Sequence, residues 1–277
     1  MFPRTNIFGF EISTYGLFAA AGIAAALAVI LLYLKRLPME KKDGPDYVCS
    51  VLFGFLGGLI GSKLLYLAIV FPQFVSDLNT FGSENFSIVF TAYMNGGFVF
   101  FGGFYGAVIA ILLYSKFSHF SLEKIINAIL PALPIGHAIG RLGCLSVGCC
   151  YGVETQSPVA VIFHESAFAP ADVPLVPVQL YEAVGNFIIF IFIIILRKKR
   201  VSAEKLFAFY LLSYGALRFI DEFFRGDMDR GFIGPLSVSQ VFSLLNLVIG
   251  LILIFKRQKQ QNKPQNPVFL DSQTEKE

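Results

Sequence analysis

Seven mostly apolar stretches recur along the chain: Ile12–Leu34, Tyr47–Phe71, Gly96–Tyr114, Leu122–Leu142, Pro177–Leu196, Leu206–Phe224 and Leu236–Phe255. A helix crosses the hydrocarbon core of a bilayer with about 20 apolar residues. Each stretch therefore predicts one membrane-spanning helix. Asn127, Pro131 and Pro134 interrupt the fourth, and the sixth carries Arg218, Asp221 and Glu222 near one end. The first is too long, and too closely followed by further spans, to read as a cleaved signal peptide. Composition agrees with a lipid-facing exterior: 15% of the 277 residues are charged, where soluble domains carry about 25%.

Lysine and arginine placement sets the orientation, because short loops rich in these residues stay cytoplasmic. Lys35, Arg36, Lys41, Lys42, Lys116, Lys124, Arg197, Lys198, Lys199, Arg200, Lys205, Lys256, Arg257, Lys259, Lys263 and Lys276 follow spans one, three, five and seven. Arg4, Arg225 and Arg230 fall on the other side, and Lys63, Arg141 and Arg218 within or at the ends of spans. The expectation is an all-α integral membrane protein with seven transmembrane helices, an external N-terminus and a cytoplasmic C-terminus. Residues 1–257 read as a single polytopic membrane domain, and the polar stretch 258–277 as a disordered tail. The segments Pro72–Asn95 and Gly143–Val176 are long enough to form a small external cap. With charge set by membrane orientation, the net +3 gives no reason to expect a nucleic-acid partner.

Ionisable groups at membrane depth are expensive and mark sites or buried pairs. Arg141 ends span four. Arg218 and Glu222 are four apart on span six, as are Asp221 and Arg225, so each couple shares a helix face. Intrahelical ion pairing is one reading. The other is a phosphate site, since guanidinium matches phosphate geometry. The run YMNGGFVFFGGFYGAVIA, Tyr93–Ala110, likewise permits either close helix packing or an unwound entry whose backbone approaches an anion. Arginines from two helices near the outer leaflet would suit an anionic lipid headgroup and a departing phosphate.

Several motifs together resemble the prolipoprotein diacylglyceryl transferase family. They are STYGLF with Tyr15 and Gly16, GSKLLY with Lys63 at a usual arginine position, NGGFVFFGG, GRLGCLSVGCCYG, PVQLYEA, YGALRFIDEFFR and LSVSQ. They occur in the family's order from about Tyr15 to Gln240. The resemblance implies transfer of diacylglyceryl from phosphatidylglycerol to the lipobox cysteine thiol of a prolipoprotein signal peptide, with glycerol phosphate leaving. It also implies a bacterial cytoplasmic (inner) membrane location, a site facing the external or periplasmic leaflet, and no metal or cofactor. By the same matching, Arg141 and Arg218 hold phosphate with Glu222 as partner. Tyr15, Gly97, Gly102, Gly103, Gly152, Gln179, Tyr181, Glu182 and Arg225 line the substrate site.

Four positions depart from the pattern. Phe101 stands where the family has a histidine proposed as catalytic. Cys144 and Cys149 replace an asparagine and a glutamate of the signature, and Val176 replaces a histidine. His137, one turn before Arg141 on the same face, is the substitute base, and Glu222 a weaker one. A repurposed scaffold that binds an anionic phospholipid or transfers another group is the alternative. Cys144, Cys149 and Cys150 form an odd set on the external side, so a stapling disulfide, a redox pair and a metal site with His137 or His164 are further readings.

Overall fold

A computed structural model describes residues 4–7, 10–35, 43–227 and 231–261. Nine α-helices dominate them: α1 (Thr14–Leu34), α2 (Asp43–Phe81), α3 (Phe86–Asn95), α4 (Phe100–Ser118), α5 (Leu122–Ile129), α6 (Ala132–Val147), α7 (Val178–Lys198), α8 (Ala203–Asp221) and α9 (Val238–Gln261). The strands are short antiparallel couples: β1 (Arg4–Ile7) with β2 (Phe10–Ser13), β3 (Val161–Ile162) with β4 (Pro174–Leu175), and β5 (Phe232–Ile233) with β6 (Leu236–Ser237). This is an all-α integral membrane protein. Every apolar window is occupied by helix, and among the described residues six helical segments are long and apolar enough to cross a bilayer. The exception is α8, whose Glu204, Lys205, Arg218 and Asp221 make it too charged to qualify on composition alone.

Three boundaries differ from expectation. Pro72 does not end the second helix, which runs for 39 residues to Phe81. The segment after Pro72 is thus mostly helical rather than a loop. The fourth window is two helices broken at Leu130–Pro131. Pro134 sits in the first turn of α6, where a missing N–H is tolerated. Finally, α9 extends to Gln261, and the rest of the expected tail lies outside the described residues.

Apolar side chains cover much of the exterior, and polar ones join a buried apolar core. Ile23, Ile60, Ile109, Phe192 and Ile252 are exposed, whereas Ser50, Gln179, Glu182, Asn186, Arg218, Ser243 and Asn246 are buried. Lipid stabilises the apolar exterior, so the interior can hold polar groups that satisfy one another.

Helix pairs approach through glycine. On α2, Gly57 and Gly61 face Gly102 and Gly106 of α4; a Cβ on Gly61 would lie 2.8 Å from the Gly106 Cα. A Cβ on Gly22 of α1 would come 2.9 Å from the Gly136 carbonyl oxygen of α6. The chain 148–177 after α6 folds into a small cap around Phe163, Ala169 and Leu175. A similar local solution satisfies Lys63. Its Nζ donates to the Tyr93 and Gly96 carbonyls, at 3.1 and 2.9 Å, closing the C-terminus of α3.

Candidate active site

Glu182 is the centre of the buried polar network. It lies one turn into α7, on the face that also carries Gln179 and Asn186, at spacings of three and four residues. Arg141 near the end of α6 places Nη2 2.9 Å from Glu182 Oε1. Arg218 near the end of α8 places Nη1 3.7 Å from Oε2, an ion-pair distance beyond hydrogen-bond range. The same arginine holds Glu222 Oε2 at 2.6 Å and donates from Nη2 to Ser239 Oγ at 2.9 Å. The Tyr214 hydroxyl donates to Glu182 Oε1 at 3.3 Å. Two guanidinium groups from different helices thus converge on opposite oxygens of one carboxylate.

These groups all lie at one end of the bundle, beneath the 148–177 cap. Connectivity requires this, because the ends of α6 and α8 and the starts of α1, α7 and α9 meet there. A separate cavity of about 390 Å³ at the other end, lined by Tyr33, Asn127, Arg197 and Lys198 among others, contains none of the motif residues.

His137 joins the hub. Its Nε2 is 3.3 Å from both Arg141 Nε and Glu182 Oε1. Arg141 keeps its proton, so Nε2 must be the acceptor of that pair, and the ring proton belongs on Nδ1. Nδ1 has no hydrogen-bond partner among the described residues. The ring is stacked on Phe100 with centroids 4.6 Å apart.

The remaining motif residues divide. Arg225 is buried but does not pair with Asp221: α8 stops at Asp221, a 3₁₀ turn follows, and Arg225 is extended, so the expected four-residue spacing is lost. Arg225 instead binds Asp227 through both Nε and Nη2. Gly152 bridges to Arg225 in antiparallel fashion, and a Cβ there would lie 2.9 Å from the Phe224 carbonyl oxygen. That close approach requires glycine. Gln179 is buried and donates to the Cys149 carbonyl at 2.9 Å.

Tyr15 starts α1 and touches the position of Gly143, two residues from Arg141. Tyr181 is exposed and stands apart from the hub. Gly97 lies in the non-helical stretch 96–99 against Tyr66, whereas Gly102 and Gly103 pack α4 onto α2. The run thus packs closely at Gly102 and Gly103 and is non-helical at Gly97. Phe101, at the family's histidine position, is 4% exposed and stacked on Phe242 at 5.0 Å.

Cys144, Cys149 and Cys150 are free thiols, not a disulfide. Their sulfurs all lie within 4.8 Å of one another. Hydrogen bonds from Cys144 and Cys149, and then Arg141 and Arg225, hold the Cys150 thiol well below the ordinary range, against the opposing effect of burial. The same sharing pushes Cys149 up.

Tyr214 and Ser239 lie in motifs that the sequence singles out but carry no role there, Asn186 lies in none, and Glu182 has no central one. A signal existed. Gln179, Glu182 and Asn186 share one face of an otherwise apolar span, and Tyr214, Arg218 and Glu222 repeat every four residues.

The family model for prolipoprotein diacylglyceryl transferase matches residues 4–256. A phosphatidylglycerol–prolipoprotein diacylglyceryl transferase of Clostridium tetani is 32% identical over 251 residues, covering 90% of this chain and 94% of its own length. The second such enzyme of Clostridium perfringens is 32% identical over 248 residues, covering 90% and 92%. One from Dehalococcoides mccartyi is 31% identical over 251 residues, covering 90% of each. Matched across almost all of its folded length, and with the motif arginines brought together, this chain belongs to the prolipoprotein diacylglyceryl transferase family.

Proposed function

We propose that this protein transfers diacylglyceryl from phosphatidylglycerol to the cysteine thiol of a lipobox-bearing prolipoprotein signal peptide. The acceptor sulfur attacks the glycerol carbon, an S–C bond forms, the C–O bond to phosphate breaks, and glycerol phosphate leaves with the electron pair. The thiol proton passes to solvent. The observation that carries the reading is the convergence of Arg141 and Arg218 on Glu182. Buried guanidinium groups held in place by a carboxylate need no reorganisation when charge develops on the departing phosphate. Arg218 Nη1, which has no hydrogen-bond partner among the described residues, is a donor available to that phosphate. Tyr15 and Arg225 flank the approach, and Gly97, Gly152 and Gln179 shape it.

Arg141 and Arg218 are balanced by Glu182 and Glu222, and Arg225 by Asp227. Net charge therefore does not draw the lipid in. Recognition comes from fixed donors, and the phosphate competes with carboxylates for them. In this reading α8 completes seven spans, the N-terminus is external, and the site opens to the outer leaflet of the bacterial cytoplasmic membrane.

Purified protein should convert a lipobox peptide plus phosphatidylglycerol into the thioether product. Arg141→Lys and Arg218→Lys keep the charge but lose the guanidinium fork, and each should lower kcat by roughly 10²-fold, as for removal of one transition-state donor. Unchanged turnover in both folded variants would overturn the arrangement. One observation favours a second reading, in which lipid binds without turnover. Phe101 cannot accept a proton, and it is packed in an apolar cluster. Binding of phosphatidylglycerol with no product would select that reading.

A further inference from the structure

The proposed reaction needs a thiolate acceptor, and the two bases expected from the sequence, His137 and Glu222, are already engaged. His137 Nε2 already accepts from Arg141, and Glu222 is bound to Arg218. Phe101 has replaced the family's histidine. The three thiols beside the hub are the chemistry left unassigned.

We propose that Cys144, Cys149 and Cys150 form a three-thiolate zinc site whose open fourth position takes the acceptor cysteine. The first half stands on the cluster alone, while the second rests on the transferase reading. Zinc binds thiolates at about 2.3 Å, so neighbouring sulfurs in a tetrahedral site lie about 3.8 Å apart. The present limit of 4.8 Å needs only a small contraction.

The backbone is shaped for this contact. Helix α6 ends at Val147, Gly148 turns left-handed at φ 79, and Cys150 is itself left-handed at φ 58. A non-glycine residue in that region is strained, and such strain concentrates at functional sites. Within this turn the Cys149 thiol donates to the Cys144 carbonyl oxygen at 3.8 Å. Gln179 anchors the Cys149 carbonyl from α7, one turn from Glu182, which orients a ligand-bearing residue from outside.

All three cysteines are only partly buried, so a metal has an entry path. Binding releases the thiol protons and leaves zinc with three thiolates at net charge −1. Arg141 and Arg225 lie within Coulombic reach of Cys150 and offset that charge.

Three protein ligands and one open position is the pattern of catalytic rather than structural zinc. Zinc held by Cys144, Cys149 and Cys150 would supply the acidity that deprotonates a fourth thiol entering there, with the proton going to solvent. The bond changes would be those given above: the S–C bond forms, the phosphate departs with the C–O electron pair toward Arg141 and Arg218, and the thioether formed would be a weaker zinc ligand than the thiolate. The metal would supply what Phe101 cannot.

The test uses the full chain in detergent, reduced, with Co²⁺ as the spectroscopic probe. One equivalent should bind, giving a thiolate-to-cobalt charge-transfer band. Cys144→Ser, Cys149→Ser and Cys150→Ser should each lose the band, whereas Cys49→Ser, on α2, keeps it. A lipobox peptide should add the intensity of a fourth thiolate, and its serine analogue should not.

No band from a folded chain with its thiols reduced, or a disulfide within the cluster in protein isolated anaerobically, overturns the site. An unmoved band on peptide addition overturns the acceptor role. Transfer that survives metal removal overturns the catalytic inference yet leaves the transferase reading intact. A metal-loaded chain that binds peptide but forms no product leaves the zinc site standing and sinks the transferase.

Discussion

At the scale of single residues the decisive group is Glu182. The sequence points to arginines, because cations at membrane depth are conspicuous, and places a phosphate between them. It does not reveal that a carboxylate from a third helix already joins them, since a single glutamate one turn inside an apolar window looks like an interfacial residue. Only the packing of α6, α7 and α8 makes it the shared partner. Glu182→Gln keeps the shape and removes the charge, leaving two buried guanidinium groups without their common counterion. Breaking a buried pair by removing one partner costs about 3–5 kcal/mol. Denaturant unfolding in micelles should show a loss of that size, and Glu182→Asp a smaller one. A change below about 1 kcal/mol would mean that Arg141 and Arg218 find other partners and that Glu182 is not the hub.

At the scale of elements, apolar length was a reliable guide and local irregularity was not. All seven windows hold helix because span length is a one-dimensional property of the sequence. The straight passage of α2 through Pro72 and the loss of the Asp221–Arg225 couple both depend on where a helix continues or stops, and neighbours decide that. The glycine run is legible in outline only: the sequence cannot say which of its glycines packs and which unwinds.

The α2–α4 interface gives a test with an internal control. A Cβ on Gly61 would collide with the Gly102 carbonyl oxygen and the Gly106 Cα, both backbone atoms that cannot swing away. Gly61→Ala should force the helices apart at a cost of about 1–3 kcal/mol. On the same helix nothing lies within 4 Å of a Cβ built at Gly44. Gly44→Ala should therefore be neutral or stabilising, by up to about 1 kcal/mol from helix propensity. Equal effects at the two positions would show that propensity, not the approach of α4, governs this helix.

For the whole molecule, one arrangement must satisfy both charge bias and chemistry. The hub and the 148–177 cap lie at one end of the bundle, and Arg197, Lys198 and Arg200 at the other. On the proposed reading, retention of lysine and arginine in the cytoplasm would put the hub at the outer leaflet, where an exported signal peptide would present its cysteine beside a lipid headgroup. If the bundle were inverted, the same arginines would face the cytoplasm, and the acceptor would have to react before export. Cysteines introduced singly at exposed positions separate the two cases. Ala171→Cys lies in the cap, and Lys199→Cys follows α7. In intact cells a membrane-impermeant maleimide should modify position 171 and spare 199, with each site read by mass spectrometry; after membrane disruption both should react. Labelling of 199 alone would reverse the orientation. It would also remove the phosphate clamp from the leaflet that the proposed reaction requires, whatever the arginines do in a detergent assay.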